Sequence, residues 1–434
     1  MDIQSNDEQI IPKDLESLQK LMDNSVKMNT GVAAYGEVSA DDYYIGKTTY
    51  DMLLDWEKKT YIWQNDQSVF DNDWSKGYTP VYVTNLVLEQ VQKLNPAANE
   101  LASRNQVLGS ALFYRSNQYL SLLWTFAKAY DPSTASTDLG IVLRSSSDFN
   151  EKSVRSSVKV CYDRVIQDLR TAIDLLPDQA THVMRPSKLA TYGLLARTYL
   201  SMAKYDSAYY FADKVLEIKD DLLDYNNPAE VTITSNFPFT RFNKEVLAHF
   251  QLTSSSIFAN YGGIYVDTLL YNSYSQDDLR KQAYFLPEGS VYATMKGNYF
   301  GQPPFGTFFF GGLAIDEFYL IRAECLARIG KLAEAQADLN KLLLKRYKTG
   351  TLQPYALTDQ DAVLQLLLKE RRKELLLRGL RWMDIKRLNL EGANITIKRK
   401  IDNKEYMLLP NVNRFALPLP IDIIRETGMP QNPI

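Results

Sequence analysis

A mostly α fold is predicted: tetratricopeptide-like helix pairs forming a superhelical scaffold, with a long irregular, loop-rich insertion and a small β-hairpin. Three observations predict it. Long runs place apolar residues at helical spacing, and Asn95-Pro96, Asp131-Pro132 and Pro177 break them apart. Two of these runs repeat one pattern: Ala196, Tyr199, Ala203, Ala208 and Ala212 recur at the same offsets as Ala323, Leu326, Gly330, Ala335 and Leu339. Small residues at such positions let paired helices approach closely, and the larger ones fill between them. Between the two runs the helical period disappears, and residues 219–312 become rich in Tyr, Phe, Asn, Ser and Gly.

Taken in order, the chain opens with a polar segment. Asp14 then caps a helix carrying Leu15, Leu18, Leu21 and Met22. From Gly31 to Tyr78 the period breaks in a stretch dense in aromatics and acids, including Asp41, Asp42, Tyr43, Tyr44, Trp63, Phe70, Asn72 and Trp74. Long stretches of this kind are more often functional than idle. Helices are expected from Thr79 to Leu94, Ala97 to Tyr130, Val154 to Leu176, Lys188 to Met202 and Tyr205 to Ile218. In the insertion, Glu245 to Leu252 reads as a strand. Tyr261, Tyr265, Tyr271, Tyr292, Tyr299 and Phe305 punctuate the rest, and Gly301, Pro303, Pro304 and Gly306 forbid long regular elements. A second helix pair spans Leu313 to Arg346. Ile395–Ile401 and Glu405–Leu409 alternate around Asp402-Asn403, a hairpin signal. The chain is read as one unit over 1–434: scaffold at 79–218 and 313–390, insertion at 219–312, and C-terminal hairpin and extended tail at 391–434.

Composition narrows the function. The 434 residues are 45% hydrophobic and 23% charged with net charge −3, so a nucleic-acid partner has no electrostatic footing. The unusual figure is 28 Tyr and 18 Phe, more aromatic surface than a core alone needs. Cys161 and Cys325 read as small buried hydrophobes. No apolar run reaches the roughly 18 residues of a membrane span. Met1-Asp2-Ile3-Gln4 shows no signal peptide, which by itself suggests a cytoplasmic protein.

The densest charge pattern is Glu370 to Asn389. Glu370, Glu374 and Arg378 lie four apart, so opposite signs are expected to meet on one helical stripe, with Leu366, Leu367, Leu375 and Leu376 on the apolar side. Gly379 sits where a left-handed cap would stop the helix. A short second helix follows. Three arginines flank Asp384 there, which reads as a semi-buried ion network. Glu370, Arg371, Arg372, Glu374, Gly379, Arg381, Trp382, Asp384 and Arg387 together resemble the C-terminal signature of the SusD/RagB family of surface nutrient-binding proteins. Ala111-Leu112-Phe113-Tyr114-Arg115, Arg185-Pro186-Ser187, Leu419-Pro420-Ile421 and Asn432-Pro433 extend the resemblance over most of the chain after Thr79. It implies one SusD-like unit that binds oligosaccharide without catalysis. It also implies a lipid anchor at the outer membrane, though the lipidated cysteine is not in this sequence. The implied partner is a SusC-like TonB-dependent transporter, to which the ligand passes.

Nothing in the sequence suggests an enzyme or a cofactor. His182 and His249 have no second ligand at metal spacing, and no nucleophile or phosphate-loop motif occurs. Asp41-Asp42 and Asp277-Asp278 are expected to be solvated acids rather than a glycosidase pair. Sugars offer a flat C–H face to aromatic rings and hydroxyls to polar partners. The residues predicted to bind ligand are Trp63, Trp74, Tyr43, Tyr44, Tyr271 and Tyr299, with Asp42 and Asn72 as polar partners. Two other functions fit the same sequence: peptide capture by the same family, and a tetratricopeptide adaptor binding a partner protein in its concave face.

Overall fold

The computed structural model describes residues 12–64, 72–253, 264–289, 292–302 and 308–433. Phe70, Tyr261, Pro303, Pro304, Phe305 and Gly306 lie outside these residues.

The chain begins with short helices, α1 (Leu15–Met22), α2 (Ser25–Met28), α3 (Tyr35–Ser39), α4 (Lys47–Met52) and α5 (Asp55–Tyr61), with strand β1 (Tyr43–Ile45) between α3 and α4. As expected, Asp14 caps α1, accepting a 2.8 Å bond from the Ser17 N–H. The scaffold then runs through α6 (Asp73–Gln92), α7 (Leu101–Phe126), the ribbon β2 (Leu139–Val142) and β3 (Arg155–Ser157), α8 (Val158–Leu175), α9 (Lys188–Ser201) and α10 (Tyr205–Ile218). Helix α6 starts six residues before the expected Thr79. Asn72 and Ser75 cap it reciprocally, and Pro80 is carried inside the helix instead of opening it. Helix α7 is covered on nearly every side from Gly109 to Phe126 and forms the spine.

The insertion holds short strands and helices: β4 (Val246–Ala248), β5 (Ile264–Val266), α11 (Thr268–Asn272), α12 (Arg280–Tyr284), β6 (Phe285–Glu288) and β7 (Tyr292–Met295). The chain returns through β8 (Leu313–Ala314), α13 (Ile315–Arg328), α14 (Leu332–Leu344), α15 (Gln360–Glu374) and α16 (Arg381–Leu390). It closes with the hairpin β9 (Ile397–Ile401) and β10 (Lys404–Leu408) and helix α17 (Ile421–Thr427). Strand β4 pairs with β8, which ties the insertion to the start of α13.

The two repeated pairs, α9–α10 and α13–α14, match in their burial and turn geometry. Ala196, Ala208, Ala212, Ala323, Ala335 and Leu339 are fully buried. Ala203 and Gly330 hold the same left-handed turn position, φ 54° and 79°. In both turns the next residue's N–H returns to the helix: Lys204 to Tyr199 O, Lys331 to Leu326 O. One apolar cluster fills the helical scaffold. A second packs the insertion against α3, β1 and α5.

Candidate functional site

The charged stretch is a buried network, but its pairs differ from those expected. Helix α15 ends at Glu374, and Leu377 turns left-handed (φ 54°), so Arg378 leaves the stripe. Arg378 bonds Asp316 at 2.7 Å. Glu374 instead accepts from Arg346 at 2.7 Å and Arg280 at 2.9 Å, all three side chains fully buried. Asp384 holds Arg371 and Arg387 at 2.8 Å each, and Arg387 reaches Glu324 at 2.6 Å. Gly379 adopts φ 77°, and a Cβ there would stand 2.8 Å from Leu252. Two of the acids expected to be solvated belong to these pairs. Asp278 is fully buried, bonding Arg280 and Lys373, and Asp42 is 1% exposed against Arg372. A chain this rich in arginine neutralises buried carboxylates in pairs, because an isolated buried charge costs too much.

The same stretch reaches back to the N-terminal segment. Arg381 grips the Asp41 carboxylate with two bonds of 2.6 and 2.9 Å. Arg372 bonds Asp42 at 2.7 Å and the Asp41 carbonyl at 2.6 Å. From β9, Arg399 donates to the carbonyls of Val38, Ala40 and Tyr43. Burial opposes ionisation of Asp41, yet the Arg381 and Arg372 guanidiniums hold its carboxyl well below the usual range. Every one of these contacts fixes the backbone that enters β1.

Strand β1 pairs antiparallel with β5 of the insertion: Tyr43 opposite Val266, Tyr44 opposite Tyr265, Ile45 opposite Ile264. Alternation sends Tyr43, Ile45, Ile264 and Val266 inward, where all are at most 3% exposed. Tyr44 and Tyr265 face the other way and stack, centroids 5.5 Å apart and planes 29° apart. Tyr292 of β7 adds a third ring, 5.6 Å from Tyr265 and 49% exposed. The three phenols form a platform in which Tyr44 lies more than 200 positions before the other two in the chain. Partial burial and the neighbouring phenols push the Tyr44 hydroxyl up to about 12, so it stays a donor at neutral pH. That hydroxyl is buried and has no partner among the described residues.

Of the eight predicted ligand residues, only Tyr44 and Tyr271 keep substantial exposed surface. Tyr271 packs edge-on against Phe285 with the Lys281 ammonium 4.9 Å over its ring. The other six are at most 4% exposed and already engaged. Trp63 donates its indole N–H to Ser39 O and lies under Arg399. The cavity beside it holds about 20 Å³, room for a water and no sugar. Trp74 packs on Tyr78 and Phe126. Tyr43 donates to Val38 O, Tyr299 to Glu245, Asp42 pairs with Arg372, and Asn72 caps α6. Aromatic residues in this chain seal the junction of insertion and scaffold before they face solvent. Tyr265 and Tyr292, which complete the platform, were not among the predicted residues. The short apolar–aromatic alternation Ile264-Tyr265-Val266 is the local signal for the first, and the pairing that brings it to Tyr44 has none.

Comparison with known proteins adds the family context. A family model described as starch-binding, associating with the outer membrane, matches residues 1–200, and the model of the SusD family matches 315–419. The stretch between them, 201–314, carries Tyr265 and Tyr292. The SusD-like protein P2 of Formosa agariphila is 23% identical over 478 residues, covering 92% of this chain and 90% of that one. Among solved structures, a SusD superfamily protein from Bacteroides thetaiotaomicron superimposes with TM-score 0.77 at 22% identity, covering 97% of this chain and all of its own. A putative sugar binding protein from Bacteroides vulgatus gives 0.74 at 20%, covering 96% and 97%. A laminarin binding SusD-like protein gives 0.70 at 18%, covering 96% and 98%.

Proposed function

The chain belongs to the SusD/RagB family, and from that premise we propose that it captures an oligosaccharide on the Tyr44–Tyr265–Tyr292 platform without making or breaking a bond. The captured glycan passes to a TonB-dependent transporter at the outer membrane, where an N-terminal lipid tethers the protein. The observation that carries the binding step is the platform. Three rings, two of them stacked, present faces suited to the C–H surface of a sugar. A sugar ring supplies that surface. The sugar-binding and laminarin-binding relatives support the same ligand class.

Calorimetric titration against maltohexaose, laminarihexaose, cellohexaose, xylohexaose and a mixed peptide pool tests it. Saturable binding to a neutral glycan is expected. Tyr44→Ala and Tyr265→Ala should each weaken it about tenfold, roughly 1.4 kcal/mol, with the melting temperature nearly unchanged. Peptide binding with no glycan binding overturns the reading.

A further inference from the structure

A cleft of about 450 Å³ opens between α6, the loop after β2 and α17, none of which contributes to the tyrosine platform. Its size falls in the range of about 300–1,000 Å³ common to small-molecule sites. Trp74 and Tyr78, ring centroids 5.0 Å apart, form its floor. Tyr82 and Phe149 stand at the rim, 38% and 81% exposed, and Ile423 and Met429 close one end.

The polar lining is specific in its sense. Ser75 donates its hydroxyl proton to Asn72 O at 2.9 Å, Thr79 to Ser75 O at 3.1 Å, Ser146 to Glu151 at 3.0 Å and Thr427 to Ile423 O at 2.6 Å. What these four offer a ligand is therefore oxygen lone pairs, one of them already taken at Ser75 by the Asn72 N–H and one at Thr427 by the Met429 N–H. The Arg144 guanidinium is turned onto Glu151 O and the Ser153 hydroxyl, and does not stand free for an anion. A cleft of ring faces and acceptors suits a ligand with an apolar C–H face and outward O–H donors. Carboxylated or phosphorylated ligands find few donors there.

The wall is held in advance of binding. Asn85, fully buried, donates to the carbonyls of Arg144 and Ser146 at 3.0 and 3.1 Å. Arg115 orients Asn85 at 2.8 Å and is itself fixed by Asp168 at 2.9 Å. Glu89 takes both the N–H and the hydroxyl of Ser147 at 2.6 Å. A loop pinned by a buried relay loses little freedom on binding, which favours affinity.

We propose that this cleft is a second glycan site, taking a short neutral oligosaccharide independently of the tyrosine platform. Two holds on one polymer chain raise its retention without any new contact at either site. The test is a titration of the full chain, labelled with ¹³C at the methyls of Met429 and Ile423, in the wild type and in Tyr44→Ala. Laminarihexaose, maltohexaose, cellohexaose, xylohexaose, trigalacturonate and a peptide pool are the probes. Saturable methyl shifts are expected with at least one neutral hexasaccharide, persisting in Tyr44→Ala. The apparent Kd should rise at least tenfold in the surface double variant Tyr82→Ala/Phe149→Ala, whose melting temperature stays near that of the wild type. Silence with every neutral glycan overturns the proposal, as do shifts with trigalacturonate or peptides alone. Shifts that vanish in Tyr44→Ala also overturn it, since the methyls would then be sensing the platform. Failure of the platform itself reads differently: calorimetric glycan binding would be unchanged by Tyr44→Ala.

Discussion

Glu374 shows what a single buried charge does here. It serves Arg346 and Arg280 together, and both arginines are fully buried. Glu374→Ala should lower the unfolding free energy by about 3 kcal/mol, because it takes one carboxylate from two buried guanidiniums, leaving Arg346 with Glu245 and Arg280 with Asp278 and Glu370. Asp384→Ala should behave alike for Arg371 and Arg387. Asp73 works in the opposite sense. Buried at the start of α6, it accepts from the Thr253 hydroxyl and the Tyr35 N–H, and burial, only partly offset by these bonds and the Lys76 charge, raises its carboxyl to about 6. A raised folded-state value means the native protein binds more protons than the unfolded chain between about 3.8 and 6. Stability from this group is present at low pH and lost as pH rises through 6, by up to about 3 kcal/mol. In Asp73→Asn that loss should be absent from the pH dependence of the unfolding free energy between pH 4 and 7. The sequence shows both residues plainly as acids. Their opposite roles depend on whether arginine or a hydroxyl faces them, and those partners come from positions far away in the chain.

At the scale of elements, the repeat was legible because it is a local pattern repeated. Its closest point of identity is the turn, where Ala203 and Gly330 occupy one left-handed conformation. An L-residue with a Cβ costs about 1–2 kcal/mol there relative to glycine. Ala203→Gly should therefore stabilise the protein, by about 1 kcal/mol after the entropy of the added glycine is subtracted. Gly330→Ala, where a Cβ would meet nothing within 4 Å, should destabilise by a similar amount through φ alone. Matched thermal melts of the two variants check both signs. The C-terminal hairpin was legible for the same reason, since Asp402 takes the left-handed position between two alternating runs. Strands β1 and β5 were not legible as a pair. Each is three residues long, and what makes them strands is one another. The start of α6 lies six residues before the expected Thr79, because Asn72 and Ser75 cap it at the end of the aromatic stretch, where no helical period marks the first turns.

Across the whole molecule, the ends of the chain converge on the platform. Asp41 and Asp42 are held by Arg381 and Arg372, three carbonyls between Val38 and Tyr43 by Arg399, and the Trp63 carbonyl by Arg414 at 2.6 Å. The family signature therefore does more than close the scaffold. It sets the backbone that aims Tyr44 at Tyr265. Its two ends should then separate in experiment. Glu374→Ala, deep in the network, should lower the melting temperature while leaving glycan affinity per folded molecule nearly unchanged. Arg372 is about one-fifth exposed, but its partner Asp42 is only 1% exposed, so removing the guanidinium also costs stability. Arg372→Gln should thus melt below the wild type and, unlike Glu374→Ala, also bind glycan several-fold more weakly per folded molecule, because the strand entering the platform is no longer anchored. Calorimetric Kd and melting temperature measured on the same samples decide it. If Arg372→Gln binds like the wild type, the remaining grips of Arg381 and Arg399 suffice to position Tyr44, and the signature is a clamp on the fold alone.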